Sequence, residues 1–592
     1  MPGTLCVSGH FFFETRTMGL WGARSILRAG LALAALALVS YGIFQPVEAD
    51  VRWLICLWAS APLIGLAGWL SQPVAPRGIP RSVYNVGLVI LVGFGLLSLQ
   101  LLRQQFVQAD AIYNYVAVGA DGSTTSNVRP VLDSQRVLRG QIVDRRGTVL
   151  ADSEPVGDFA RRTYPLVNSY DPTAFSNILG FFSTRYGQSG LEATYSAYLT
   201  GDRGNEIQRI QEQFVGGERR GNRLVLTLNA DLQARAAQAL NGRSGSVVVL
   251  DPRTGAVLAM VSQPGFDPRG LSFDPSAADW DVENARIAAY WSQINADSAG
   301  QPLLNRPSQG LYPPGSTFKT LTAISALEHQ GVAQPNSITC PQEYRPDPSA
   351  PPVVNAVDNL SSLTGDPASL EKVYAYSCNT AFAQYAVRLG PDLFGDTARQ
   401  FDIYPPQKAP SLYGEFSDLP TAASLLYVDP GFLNQPRGMA DTGYGQGQLL
   451  VTPLEMAMMT AAIANDGVMM RPYLVQKITR PDGSLIVEQS ARPIRRAMSA
   501  AIAKIMQADM SAVARYGFGR SVSEYVPGIA VGGKSGTAEH VPGAPPHAWF
   551  IALAPLEKPR FAIAVMVESG GEGSSVGARL AGEVLAAAFA TE

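Results

Sequence analysis

A chain of 592 residues, 46% hydrophobic and 16% charged, is long enough for about four folding units and can bury a large core. Its 46 basic and 49 acidic residues leave a formal charge of −3, which lacks the footprint of a nucleic-acid binder. The four histidines (His10, His329, His540, His547) and four cysteines (Cys6, Cys56, Cys340, Cys378) show neither H-E-x-x-H nor C-x-x-C spacing, which argues against a zinc hydrolase. Only seven residues are lysine and the first is Lys319, so a lysine inside a motif is informative.

Three uncharged apolar runs open the chain, at Ala29 to Val47, Trp53 to Pro76 and Ser82 to Leu102, each long enough to cross a bilayer. A cleaved signal peptide is disfavoured, because two further runs follow and no small-residue cleavage site precedes Asp50. Arg16, Arg24, Arg28, Arg77 and Arg81 flank the first run or separate the second from the third, whereas the first turn carries Glu48, Asp50 and only Arg52. The expected topology is therefore a cytoplasmic N-terminus at residues 1–28, a membrane region at 29–103, and everything beyond on the outer face. That compartment permits a disulfide between Cys340 and Cys378, with two buried free thiols as the other arrangement. The stretch before Met18, with Phe11-Phe12-Phe13, differs in texture, and Met18 is an alternative start.

Beyond a polar stretch at Asp121 to Ser126, the alternation and the Arg-Arg-Gly turn of Arg139-Gly140-Gln141-Ile142-Val143-Asp144-Arg145-Arg146-Gly147-Thr148-Val149-Leu150-Ala151 predict a β-hairpin. A loosely patterned region follows to Gly221. From Asn222 the pattern predicts a strand at Leu224 to Leu228, a helix at Ala230 to Leu240 and a hairpin pairing Ser246 to Leu250 with Ala256 to Val261. A mostly helical middle leads to strands at Gly528 to Glu539, His547 to Leu553 and Phe561 to Glu568, and to a helix from Ser575 to Ala590. Strands, helices, then strands closed by a helix predict an α/β (α+β) sheet carrying an inserted helical subdomain.

Three short motifs carry the chemistry. In Tyr312-Pro313-Pro314-Gly315-Ser316-Thr317-Phe318-Lys319 the prolines stop the preceding chain, and Phe318, Leu321, Ile324 and Leu327 form a helical stripe ending near Gly331. Ser316 is expected to open that helix, with Lys319 one turn on and on the same face. A lysine serves as a base once burial depresses its pKa, which arginine cannot do. Ser377-Cys378-Asn379 supplies a hydroxyl and an amide before an apolar helix at Thr380 to Leu389. Gly532-Gly533-Lys534-Ser535-Gly536-Thr537 places a lysine and hydroxyls on a glycine-rich strand where a ligand backbone can approach. Each motif alone reads as a helix cap or a strand edge; the three together, in this order, read as one site.

In these residues the sequence resembles the penicillin-recognising serine transferases, whose motifs are S-x-x-K, S-x-N and K-[ST]-G. It is most similar to a class B penicillin-binding protein from Arg139 onward. Arg139-Gly140, Asp144-Arg145 and Gly190-Leu191-Glu192 are similar to that class's mostly β pedestal, placing it at 104–221. Thr227-Leu228-Asn229 with Leu232-Gln233 resembles the entry to its transpeptidase domain, placing that at 222–592, and Gly443-Tyr444-Gly445-Gln446-Gly447 with Thr452-Pro453 resembles a further family stretch. Three spans depart from the usual single anchor. The resemblance implies a peptidoglycan D,D-transpeptidase without cofactor or metal. Ser316 is the implied nucleophile, Lys319 its base and Ser377 the proton relay. Asn379, Lys534, Ser535, Gly536 and Thr537 would bind substrate, and the amides of Ser316 and Thr537 would form the oxyanion hole. Implied partners are stem peptides, β-lactams, the cytoplasmic membrane and a multispan glycosyltransferase of the shape, elongation, division and sporulation family; nucleic acid is not one. A D,D-carboxypeptidase or a non-catalytic β-lactam sensor or scaffold would share the motifs.

Overall fold

The computed structural model describes residues 15–45, 49–71, 81–108, 116–118, 124–126, 135–204, 219–298, 300–410 and 416–592. The phenylalanine run before Met18, Arg77 and the first half of the polar stretch at 121–126 lie outside them. Two compact units are present, Met1–Asp133 and Ser134–Glu592.

In the first unit, helices α1 (Thr15–Ile43), α2 (Asp50–Leu70) and α3 (Arg81–Phe106) contain three stretches long and apolar enough to cross a membrane: Gly22–Ile43, Val51–Leu70 and Val83–Gln105. Two long polar side chains turn inward. Trp53 Nε1 donates to Gln100 Oε1 at 2.6 Å, and the buried Arg103 donates to the carbonyls of Gly42, Ile43 and Gln45, so a cation on α3 meets the carbonyls that end α1.

The second unit is built on two large sheets beside smaller two-stranded ones. Its elements in chain order are β1 (Ile142–Val143), β2 (Val149–Val156), β3 (Phe159–Thr163), β4 (Arg223–Leu226), α4 (Ala230–Leu240), β5 (Gly245–Leu250), β6 (Val257–Gln263), α5 (Lys319–Glu328), α6 (Leu370–Ala375), α7 (Asn379–Gln400) and α8 (Pro453–Ala464). There follow β7 (Val475–Thr479), β8 (Leu485–Glu488), α9 (Ala500–Arg515), β9 (Gly532–Ala538), β10 (His547–Ala554), β11 (Phe561–Val567) and α10 (Ala578–Thr591).

The six-stranded sheet runs β8-β7-β4-β1-β2-β3 and is antiparallel except where β1 meets β4. The predicted hairpin is β1–β2, its turn closed by Asp144 Oδ1 accepting from the amides of Arg146 and Thr148. Arg139 and Arg162 converge on Glu192, at 2.8 and 2.6 Å, and all three are buried. Burial opposes the Glu192 charge, yet the two guanidiniums hold its carboxyl below the usual range. Gly140 is required beside this triad, because a Cβ there would sit 1.8 Å from the Asn222 carbonyl oxygen.

The five-stranded sheet runs β6-β5-β11-β10-β9 with every neighbour antiparallel. Alternate residues of β5 separate its two faces: Val247 and Val249 pack with α4 and α10, whereas Val248 and Leu250 join the core that contains α5 and α8. Helix α8 is wholly buried and apolar except for Glu455 and Thr460, and Thr452 caps it by accepting from the Glu455 amide. Asn229 and Gln233 tie the layers together. Asn229 caps α4 and donates to the Thr591 carbonyl, while Gln233 bonds both the amide and the carbonyl of Met260.

Helix α4 runs over the predicted residues. Several boundaries differ, the helix expected at Thr380 to Leu389 among them, which runs on past a break at Gly390 to Gln400. The strand expected from Gly528 begins at Gly532, because Gly528 has φ +80° and the Ile529 amide closes a turn onto Val526. The last helix begins at Ala578 after a π-turn at Gly573–Gly577. The stripe through Leu327 ends its α-helix at Glu328, followed by a separate turn at Gln330–Ala333.

Candidate active site

Ser316 lies in a 3₁₀ turn, Gly315–Phe318, that precedes α5, rather than in the α-helix itself. The local chain explains the difference. Gly315 has φ +55° and donates its amide to the Gly445 carbonyl, and Thr317 Oγ1 donates to the Pro314 carbonyl at 2.7 Å. A 3₁₀ turn brings residues three apart into line, so Ser316 and Lys319 share a face as expected. The turn is clamped from the sheet by Trp549 Nε1, which donates to the Pro313 carbonyl at 3.0 Å.

Lys319 is fully buried, and its Nζ donates to Asn379 Oδ1 and the Ser377 carbonyl, both at 2.7 Å, and to Ser377 Oγ at 3.0 Å. Lys534 reaches the same hydroxyl from β9, its Nζ 2.9 Å from Ser377 Oγ and 3.0 Å from the Ser535 carbonyl. One serine hydroxyl thus bridges two buried lysines. Neither lysine has an ion-pair partner among the described residues. Burial holds Lys319 well below the ordinary lysine range, with Lys534 adding to the effect, and burial lowers Lys534 to about 7.

Three oxygens around Lys319 Nζ match the three donors of an ammonium, and they also suit a neutral amine if the Ser377 hydroxyl turns its proton toward Nζ. In the neutral form the Ser377 carbonyl and Asn379 Oδ1, which can only accept, use two N–H donors and leave a lone pair for that hydroxyl proton. The Ser377–Asn379 turn is held in place by a backbone of its own. Ser377 has φ +56°, the Cys378 amide bonds the Val373 carbonyl, Asn379 Nδ2 donates to the Val354 carbonyl, and Cys378 is disulfide-bonded to Cys340. The bridge is therefore the arrangement present, and the two free thiols are not.

Strand β9 is the sheet edge, and its alternation sorts the third motif. Lys534 and Gly536 point toward the 313–319 turn, where a Cβ on Gly536 would lie 2.8 Å from both the Pro314 carbonyl oxygen and Thr317 Cγ2. Ser535 and Thr537 point the other way, and Thr537 is exposed. Thr537 Oγ1 accepts from the Gly573 amide at 3.1 Å, which leaves its O–H available to an incoming acceptor. All three motifs converge. Gly573 was not singled out in the sequence, although the glycine run Gly570-Gly571-Glu572-Gly573 after the last strand is the signal that could have found it. Tyr374 and Phe382, which flank Ser377 and face the lysines, carry no such signal, being spaced like core aromatics. Among the described residues no group of three or more histidine, cysteine or carboxylate side chains is arranged to hold a metal ion.

An antiparallel sheet flanked by helices, with a serine-lysine turn, a serine-asparagine turn and a lysine strand edge facing one another, is the architecture of the penicillin-recognising transpeptidases. Residues 245–587 match the family described as penicillin binding protein transpeptidase domain, and residues 139–224 match the penicillin binding protein A dimerisation domain. The chain belongs to the penicillin-binding protein transpeptidase family, and its neighbours place it with the class B proteins. It is 35% identical over 519 residues to the peptidoglycan D,D-transpeptidase PbpA of Mycolicibacterium smegmatis, covering 85% of this chain and 97% of that one. It is 31% identical over 521 residues to PbpA of Mycobacterium tuberculosis, with the same coverage. The ceftriaxone acyl-enzyme complex of penicillin-binding protein A from M. tuberculosis superposes with a TM-score of 0.67 at 31% identity, over 77% of this chain and all of that one.

Proposed function

We propose that the protein is a peptidoglycan D,D-transpeptidase acting through an acyl-serine intermediate, the activity named for its relatives. The observation that carries the reading is the chain of hydrogen bonds that runs Asn379–Lys319–Ser377–Lys534 and joins residues up to 215 apart in sequence, with Ser316 in the 3₁₀ turn that leads into Lys319. The Ser316 oxygen attacks the penultimate D-alanyl carbonyl of a donor stem peptide, and its proton passes to Lys319 Nζ. The amides of Ser316 and Thr537 hold the oxyanion. The terminal carboxylate rests on the hydroxyls of Ser535 and Thr537, with the Lys534 charge behind the strand. Collapse breaks the amide bond, and Ser377 delivers the proton to the departing D-alanine nitrogen. The amine of a second stem peptide then attacks the ester, yields its proton and frees Ser316. Asn379 and the Gly536 backbone position the peptide. A β-lactam would acylate the same oxygen without a leaving group that diffuses away.

The same reading gives 104–221 the role of pedestal and 222–592 that of transpeptidase domain. With the N-terminus inside, three spans put that domain on the outer face, and a multispan glycosyltransferase is the partner that would supply new glycan strands. Incubation of the full chain with a pentapeptide donor and an amine acceptor tests the activity: a cross-linked product with release of D-alanine is expected. Tetrapeptide alone would make the protein a carboxypeptidase, and acylation by penicillin without turnover of donor would make it a sensor or scaffold.

A further inference from the structure

Two buried lysines share Ser377 without a carboxylate, so any positive charge held there needs some other source of stabilisation, and the structure places an aromatic ring on each side of Ser377. Tyr374, on α6 three residues before it, places its ring 5.7 Å from Lys534 Nζ, and Phe382, on α7 five residues after it, places its ring 5.7 Å from Lys319 Nζ. The two rings pack against each other at 6.3 Å and 55°. Both are fully buried. The Tyr374 hydroxyl is fixed by Thr320 Oγ1 at 2.8 Å, and Thr320 is the neighbour of Lys319, so the ring is anchored to the helix that carries the other lysine.

The donor count separates the two lysines. Lys319 Nζ has three oxygens of Ser377 and Asn379 within hydrogen-bond distance, two of which can only accept. Lys534 Nζ has two oxygen acceptors, Ser377 Oγ and the Ser535 carbonyl, and no third among the described residues. A ring face within about 6 Å attracts an ammonium and does nothing comparable for a neutral amine.

We propose that Tyr374 is a positioning residue of the acyl-transfer site. Its ring face carries the Lys534 ammonium, so that the site's single positive charge stays on the strand that receives the substrate carboxylate, while Lys319 stays neutral as base. This rests on the roles given to the two lysines above. The titratable groups around Lys534 are Lys319 across Ser377, Tyr374 beneath it, and, against Tyr374, Asp509 of α9, which also faces Glu371 of α6. Burial pushes Asp509 up to about 7, so its titration must be separated from that of Lys534.

The test is the pH dependence of penicillin G acylation by the full chain, with wild type, Tyr374→Phe and Tyr374→Leu compared. Losing the ring lowers the pKa of Lys534, so the alkaline limb of the Leu variant should move to lower pH by roughly half to one and a half units, while Tyr374→Phe keeps it in place. Should Tyr374→Leu fail to fold, mono-, di- and trifluorophenylalanine at position 374 keep the shape and weaken the ring face, and the limb should move stepwise with fluorination. A uniform loss of rate with the limb unmoved would overturn the proposal as a packing effect. A limb that vanishes in Asp509→Asn would overturn it by assigning the titration elsewhere. Wild-type protein that does not acylate at all would instead refute the roles of the lysines, and this inference with them.

Discussion

Replacing Lys319 with arginine separates a base from a charge. The chain prefers arginine, with seven lysines among 46 basic residues, so a position that needs only a cation should tolerate the change. Lys319 is fully buried and its Nζ lies 2.7 to 3.0 Å from three oxygens. A guanidinium in that place would still find acceptors, yet it cannot give up a proton at accessible pH and so cannot take one from Ser316. Loss of a positioned base is worth roughly 10²- to 10⁴-fold, or about 2.7 to 5.4 kcal/mol of barrier. Stopped-flow acylation with a fluorescent penicillin, run beside thermal melts, should show Lys319→Arg slowed at least about 100-fold. Lys319→Met, which carries no charge, should be slowed as much. Lys477→Arg on β7, whose side chain is only partly buried and lies in the other sheet, should be silent. Acylation near the wild-type rate by folded Lys319→Arg would refute the base assignment and reopen what activates Ser316.

Other outcomes follow from the same structure. Glu192→Gln leaves Arg139 and Arg162 buried without their counter-charge, and urea denaturation should find the protein about 3 to 5 kcal/mol less stable; a loss under 1 kcal/mol would mean that water or main-chain carbonyls already neutralise the pair. The Cys340–Cys378 bridge closes a loop of 38 residues, for which chain entropy gives about 4 kcal/mol. Cys340→Ser with Cys378→Ser should lose stability on that scale, and complete alkylation of both thiols in unreduced protein would show that the bridge is absent. Reporter fusions after Gln45, Ser71 and Gln108 should read outside, inside and outside; an inside signal at Gln108 would reverse the topology and remove the catalytic domain from its substrate.

Local signals in the sequence carried the local structure. The pattern of Ala230 to Leu240 marked α4 because it is contained in a dozen residues, and the Arg145-Arg146-Gly147 turn did the same for β1–β2. Strand order carried no such signal. That β11 inserts beside β5, and that β7 and β8 extend the sheet begun by β1, depends on pairings across some 250 to 330 residues, which leave no mark on either partner. The site was legible as three motifs, and their resemblance to a family brought them together. The hydrogen bonds that join them were not, because the Ser377 hydroxyl bridging two lysines is a product of tertiary packing. Tyr374 was invisible for a further reason: a buried tyrosine on a short helix looks the same whether it fills a core or supports a cation.

The central claim is that Ser316 is the acylated nucleophile. Peptide mapping by mass spectrometry of penicillin-treated protein tests it most directly. A single adduct of one penicillin mass on the peptide containing Ser316, absent from Ser316→Ala, is the predicted result; an adduct on another residue, or equal labelling of Ser316→Ala, would contradict it.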